Sequence, residues 1–262
     1  MNKLRILKIS AVVFFNLFFI CDFLAAKDFF EIISSGSIDE IKKVLKEKNI
    51  NSKDEFGKTP LMIAVEENNE ELAKFLIEKG AEIDIMTSDT KDSLLNSVKE
   101  TQNDIFLKPA QMEETPLLFA IKNENINMIN LLLEKGADIN FTNSIAMTPL
   151  MTVLATGKYV QDINKEFHFT TYTNTDILNL MIEKGADVNA EDMYMRTPLM
   201  FAAEGNNISV VKFLTEKGAD VNAKTVNGWT ALTFALKNNN IDIAKSLIER
   251  GADVNTRDSM YK

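Results

Sequence analysis

Residue types that could support catalysis or bind a metal are scarce in this sequence. His168 is the only histidine among 262 residues, and Cys21 is the only cysteine. A catalytic triad pairs a histidine with a nucleophile, and a zinc site needs several nitrogen or sulfur ligands. No serine or cysteine forms a recognisable nucleophile pattern with His168, and no second histidine or cysteine gives metal-ligand spacing. We therefore expect no enzyme, no metal site and no cofactor.

Two other features that could carry chemistry have simpler interpretations. The glycines are spaced as helix terminators and not as the GxGxxG loop that binds phosphates. Adjacent acidic residues such as Asp54 and Glu55 are typical of a solvated surface. A less favoured alternative is an enzyme or metal-binding protein that uses the segment 158–173 around His168. That alternative needs a second ligand or nucleophile nearby, and the sequence shows none.

A periodic pattern of helix signals runs along most of the chain. The tripeptide TPL begins at Thr59, Thr115, Thr148 and Thr197, with a TAL variant at Thr230. A Gly-Ala pair follows later in each unit, at Gly80, Gly136, Gly185, Gly218 and Gly251. Threonine is a favourable helix N-cap, proline fits the first helical position, and glycine suits the residue after a helix. Half of the intervals in each series are 33 residues and the others are 56 and 49, so the pattern predicts a stack of helix–turn–helix units with two longer ones.

The segments GKTPLMIAVEENNEELAKFLIEKGAEID and MRTPLMFAAEGNNISVVKFLTEKGADVN are similar to the ankyrin repeat. The resemblance covers residues 27–262 and implies an all-α ankyrin-repeat solenoid with short β-hairpin-like finger loops. Ankyrin repeats usually carry a histidine after TPL, which hydrogen-bonds the connecting loops. Here that position holds Met62, Leu118, Met151, Met200 and Thr233. We therefore expect weaker polar bonding between repeats.

The repeat signals divide the array into units of unequal regularity. The units are a divergent first repeat at 27–55, then 56–88, a truncated repeat at 89–111, 112–144, 145–193, 194–226 and 227–258. Residues 89–111 are interpreted as truncated because Lys108 and Pro109 fall where a second helix should run. The 16 extra residues near 158–173 lie between the two helices of one unit and predict a loop or a short hairpin.

The N-terminus has the features of an export signal. Its basic head is formed by Lys3, Arg5 and Lys8. The uncharged run that follows, 9–21, is too short for a comfortable membrane span. We expect a signal peptide over residues 1–26, cleaved after Ala26, and a mature chain without a membrane span in the periplasm or cell envelope. Secretion, lipid anchoring through Cys21 and an uncleaved anchor are the alternatives.

Charge and composition narrow the class of partner. The chain carries a formal net charge of −9, and 26% charged with 45% hydrophobic residues is typical of a folded protein. An acidic surface repels nucleic-acid phosphates. We therefore expect a monomer whose partner is another protein with a neutral or basic surface, and no nucleic acid.

The resemblance also implies which residues contact a ligand. In ankyrin repeats these are the finger tips and the residue before the capping threonine. They correspond here to Glu55, Phe56 and Lys58; Ser144, Ile145 and Met147; Met193, Tyr194 and Arg196; and Val226, Asn227 and Trp229. Tryptophan, tyrosine and arginine are enriched at binding hot spots. The predicted partner-binding residues are Phe56, Ile145, Met147, Met193, Tyr194, Arg196, Val226 and Trp229.

An alternative for each of these side chains is that it packs sideways on a neighbouring finger. The function that we predict is a non-enzymatic protein–protein interaction module, exported to the bacterial cell envelope or outside. A secreted effector that binds a host protein is the second possibility.

Overall fold

The computed structural model describes residues 29–46, 48–87, 113–155 and 174–256, together with the backbone of 158–161 and 167–170. The predicted signal peptide at 1–26 and the predicted truncated repeat at 89–111 lie outside the described residues. The statements below concern the described part of the chain.

The described chain is a series of paired α-helices, each pair joined by a short turn. The helices are α1 (29–35), α2 (Ile38–Val44), α3 (Pro60–Glu66), α4 (Glu70–Glu78), α5 (Pro116–Lys122), α6 (Ile126–Glu134), α7 (Pro149–Ala155), α8 (Thr175–Glu183), α9 (Pro198–Glu204), α10 (Ile208–Glu216), α11 (Ala231–Lys237) and α12 (Ile241–Glu249). First helices contact first helices of the neighbouring pairs, as α9 does with α7 and α11. The predicted all-α solenoid of helix–turn–helix units is confirmed.

Most of the first helices begin with the predicted threonine cap. The Thr115 hydroxyl accepts a hydrogen bond from the Leu118 N–H (3.3 Å), and Thr59, Thr148 and Thr230 do the same in their units. Thr197 differs, because the Met200 N–H donates to the Thr197 carbonyl oxygen (3.0 Å) instead. Its buried hydroxyl has no hydrogen-bond partner. The local sequence therefore marks this helix start without specifying the bond that caps it.

The second helices begin with asparagine and end before glycine. The Asn69 side chain accepts from the Leu72 N–H (3.0 Å), and Asn125, Asn174 and Asn207 cap their helices in the same way. At the other end, Gly80 adopts a φ of +91°, and the Ala81 N–H donates back to the Leu76 carbonyl (3.0 Å). A left-handed residue after the helix closes its last turn, and glycine adopts that conformation without strain.

The core lies between successive first helices and between the first and second helix of each pair. The leucine of each TPL or TAL motif is 3% exposed or less, namely Leu61, Leu117, Leu150, Leu199 and Leu232. Burying one such side chain contributes about 1.5–3 kcal/mol, against about 1 kcal/mol for a helix cap. Stacking of neighbouring repeats therefore dominates the stability of this fold.

The repeats on either side of residues 88–112 stack directly on each other. Helix α3 contacts α5, and the Asn123 side chain donates to the Glu66 carbonyl (3.4 Å). The Thr87 N–H donates to the Glu114 carbonyl (3.0 Å), which joins the described residues on the two sides of 88–112. No helical layer stands between α3 and α5. The truncated repeat predicted at 89–111 lies outside the described residues and stays a prediction.

Part of the segment between α7 and α8 forms a β-hairpin. Strands β1 (Lys158–Gln161) and β2 (Phe167–Thr170) pair antiparallel, with Lys158 opposite Thr170 and Val160 opposite His168. Of the loop and the hairpin predicted for this insertion, the hairpin is the one observed. The structure describes only the backbone here, so the side chain of His168 lies outside the described residues.

Asparagines at the ends of the GAD-x-N turns connect one repeat to the next. The Asn189 side chain donates to the Gly218 carbonyl (3.1 Å) and accepts from the Asp220 N–H (2.8 Å). Asn140 and Asn222 make the same two bonds to the following repeat. These asparagines supply a bonded ladder between repeats that lack the TPL histidine. Weaker bonding than in repeats that carry this histidine stays a prediction.

Candidate protein-binding surface

The finger loops, residues 54–58, 143–147, 192–196 and 225–229, are tight turns closed by their own backbone. In the last of them, the Thr225 N–H donates to the Trp229 carbonyl (2.9 Å). Neighbouring fingers are also bonded side by side, since the Met193 N–H donates to the Ile145 carbonyl and the Val226 N–H to the Tyr194 carbonyl (both 3.1 Å). These bonds hold the tips in a row.

Close approach between fingers explains one glycine. Gly57 has a φ of +76°, and a Cβ built there would lie 1.7 Å from the Thr87 carbonyl oxygen. Only glycine fits this position. Ala146 and Met195 occupy the equivalent position in other fingers with φ of +61° and +59°. The fingers that carry Ala146 or Met195 in place of glycine thus keep the same turn conformation.

Two of the predicted contact residues are core residues. Ile145 is 6% exposed and Met147 is 2% exposed. The next finger donates a backbone hydrogen bond to the Ile145 carbonyl, and Met147 lines a small cavity together with Leu118 and Phe141. Neither side chain can reach a partner. Their burial removes both from the candidate surface.

Arg196 is also withdrawn from solvent, for a different reason. It is 8% exposed, and its Nε donates to the buried Asp192 carboxylate (2.7 Å). That carboxylate also accepts the N–H groups of Tyr194 and Arg196, so it closes the finger turn. The guanidinium lies over the rings of Phe201 (4.6 Å to the centroid) and Tyr194 (5.4 Å). We therefore reassign Arg196 from contact residue to the anchor of its finger.

The remaining predicted residues stay accessible. Phe56 is 72% exposed, Met193 53% and Val226 55%, whereas Tyr194 and Trp229 are partly buried. The Trp229 ring packs edge-on against Phe234 (centroids 5.3 Å apart), and the Lys237 ammonium lies over it (4.9 Å). The two aromatic side chains are thus fixed by their neighbours, while the tips beside them face solvent.

A set of paired residues runs along the first helices, and sequence reasoning did not find it. Each pair joins the residue before the capping threonine to the last residue of the helix. We call these residues the first-helix stripe: Lys58 and Glu66, Glu114 and Lys122, Arg196 and Glu204, Trp229 and Lys237. The Lys58 ammonium is 2.6 Å from a Glu66 carboxylate oxygen, and Glu114 and Lys122 form a second ion pair. The spacing of eight residues was visible in the sequence, but it matches no helical neighbour rule, since facing residues on one helix are three or four apart.

Glu204 is the residue of the first-helix stripe whose carboxyl pKa is shifted. Burial raises the pKa of its carboxyl above the ordinary value, while the positive charges of Arg196 and Lys237 act to lower it. Neither cation lies within ion-pair distance of it, and among the described residues its carboxylate accepts no hydrogen bond.

The described residues contain no group of three His, Cys, Asp or Glu side chains that could hold a metal ion. Within the same residues, no helix has the length and apolar character needed to cross a membrane.

Comparison with known proteins agrees with this architecture. A family model of ankyrin repeats in three copies matches residues 29–87 and 167–258, and a single ankyrin repeat model matches 112–144. The chain belongs to the ankyrin repeat family, which confirms the resemblance seen in its sequence. Repeats of this family generally act as protein–protein interaction modules without enzymatic activity.

Two curated relatives are also described as ankyrin repeat proteins. One, from fowlpox virus (strain NVSL), is 34% identical over 122 residues, which cover 42% of this chain and 28% of the relative. The other, from Rickettsia bellii (strain RML369-C), is 28% identical over 123 residues, covering 44% of this chain and 18% of the relative. The chain thus spans less than a third of the length of either.

Proposed function

We propose that this protein is a non-enzymatic interaction module that captures a partner protein with the finger tips and first-helix stripe of its C-terminal repeats. The observation that carries the proposal is the row of bonded fingers, which presents exposed Met193 and Val226 beside the fixed rings of Tyr194 and Trp229. Exposed apolar side chains grouped in this way mark interaction sites.

The rigidity of the surface supports the same conclusion. The backbone of the fingers is held by bonds within and between turns, and Asp192 clamps Arg196 beneath the Tyr194 ring. A preorganised surface loses little conformational entropy on binding, so more of the contact energy appears as affinity. Tyrosine and tryptophan give large contact areas at low entropic cost.

The first test is the double change of Tyr194 and Trp229 to alanine. We expect the loss of at least about 2 kcal/mol of binding free energy, or more than tenfold in affinity, because both rings are hot-spot types beside exposed tips. Affinity capture from the native cell envelope, quantified by mass spectrometry, measures the effect. Circular dichroism checks that the stack remains folded.

Ile126→Ala is the matched control, since this apolar side chain is exposed on a second helix, away from the fingers. Its capture should equal that of the unmodified protein. Unchanged capture by the double variant would exclude the proposed surface.

Export to the periplasm, the cell envelope or the medium is part of the proposal, supported by the basic head and short uncharged run of residues 1–26. We expect the mass of the native protein to lack these residues. Retention of the full mass would argue for an anchor, and loss of residues 1–20 with an added lipid would show attachment at Cys21. Recovery from culture supernatant instead of periplasm would favour the effector alternative.

A further inference from the structure

Glu204 breaks the pairing of the first-helix stripe. In α3 and α5 the last residue of the helix forms an ion pair with the residue before the capping threonine. In α9 the corresponding partner, Arg196, is bound to Asp192 and lies over Phe201 instead. The carboxylate of Glu204 therefore lacks the partner that its equivalents have.

Within the described part of the chain, no other residue forms an ion pair or a hydrogen bond with the Glu204 carboxylate. Lys237, from the next repeat, is the other nearby cation, and its ammonium is held over the Trp229 ring. Asn238 donates to the backbone carbonyl of Glu204 (3.0 Å), which fixes the end of the helix but leaves the carboxylate free. The carboxylate oxygens are not among the buried, unpartnered polar atoms of the described residues, so a donor from outside the chain can reach them.

Arg196 and Lys237 make their closest contacts elsewhere, so among the described residues the Glu204 carboxylate has only their longer-range charge and no ion pair or hydrogen bond. A hydrogen-bond donor from outside the chain would give the Glu204 carboxylate a partner. A positively charged side chain suits the site best, since it pairs with the carboxylate and stacks on aromatic rings. The net charge of −9 also favours encounter with a basic surface.

We propose that Glu204 receives an arginine or lysine side chain of the partner protein, which packs beside Trp229. The inference rests on the proposed function, because it assigns the chemistry of the partner to the same surface. It makes a basic segment the expected ligand of the C-terminal repeats.

The experiment uses the full chain and a displayed library of random peptides. Peptides are selected on the unmodified protein, and those that also bind the Trp229→Ala variant are discarded. The binding of selected peptides is then followed by tryptophan fluorescence, since Trp229 is the only tryptophan in the chain. We expect arginine and lysine to be enriched among them.

The decisive comparison is Glu204→Gln against Glu66→Gln. Glu66 occupies the equivalent position but is already paired with Lys58. We expect Glu204→Gln to weaken a selected peptide about tenfold and Glu66→Gln to leave it unchanged, with circular dichroism confirming that both variants are folded.

The outcomes separate the two proposals. Peptides that need Trp229 but carry no excess of basic residues, or that bind Glu204→Gln as well as the unmodified protein, would overturn the role of Glu204 and leave the surface standing. Failure to select any peptide that depends on Trp229 would count against both.

Discussion

At the scale of single residues, the last position of the GAD-x-N turn decides how firmly one repeat is bonded to the next. An asparagine there donates to one backbone carbonyl and accepts from one N–H of the following repeat. Asp84 occupies this position between α4 and α6, where its carboxylate only accepts, from the Asp138 N–H (3.2 Å). An ionised carboxylate has no proton to donate. The ladder is therefore incomplete at Asp84.

We predict that Asp84→Asn stabilises the protein at neutral pH by about 0.5–1.5 kcal/mol, the contribution of one hydrogen bond. Burial is the main cause that raises the pKa of Asp84 in the folded state, so folding favours its protonated form. The unmodified protein then loses stability as the pH rises from 3.8, the ordinary pKa of an aspartate carboxyl, through the raised pKa of Asp84. The stability gained by Asp84→Asn should therefore be smaller below this pH range.

Urea unfolding at several pH values measures the difference in free energy of unfolding. The reciprocal change, Asn140→Asp, should destabilise the protein at neutral pH, because it removes the donor to the Gly185 carbonyl. Equal stability of the unmodified protein and Asp84→Asn at neutral pH would show that the missing donor has no cost.

At the scale of the elements, the outward side of each first helix depends on the repeat that follows. The fifth position after the start of the helix carries Val65, Ile121, Leu154 and Ala203, all with 0% exposure. In α11 the same position is Leu236, which is 55% exposed because no described residue packs over it. The same type of apolar side chain at this position therefore contributes differently to stability in different repeats.

A matched pair of substitutions tests this difference. We predict that Leu154→Ala lowers the free energy of unfolding by about 2–5 kcal/mol, because it leaves a cavity between repeats. Leu236→Ala should cost less than about 1 kcal/mol, because an exposed side chain gives up little burial. Chemical denaturation of both variants gives the comparison, and similar losses would mean that Leu236 is covered.

At the scale of the whole molecule, stability in the described array is distributed over nearest neighbours. Helix α9 touches α7 and α11, and the asparagine ladder links successive turns. The bonded fingers run across the same units, so the candidate surface is produced by the stacking and not by any single repeat. Each stripe pair, by contrast, lies within one repeat, and only its surroundings come from the next.

The sequence by itself determined the period, the helix boundaries and the family, because caps, prolines and terminal glycines act within a few residues of one another. Thr115 and Gly80 behave as their local motifs predict. The asparagine signals were also present at the 33-residue period, although their bonds to the next repeat were not foreseen.

Only the tertiary structure decided which finger residues face a partner. Phe56 and Ile145 hold the same position of their fingers, yet Phe56 is 72% exposed and Ile145 only 6%, because burial depends on what packs against each finger. Arg196 turns to Asp192 and leaves Glu204 without a partner, although Lys58 and Glu66 pair at the same spacing. Local motifs fix where a helix begins and ends, but burial and charge pairing are set by neighbours that the chain reaches only after a full repeat.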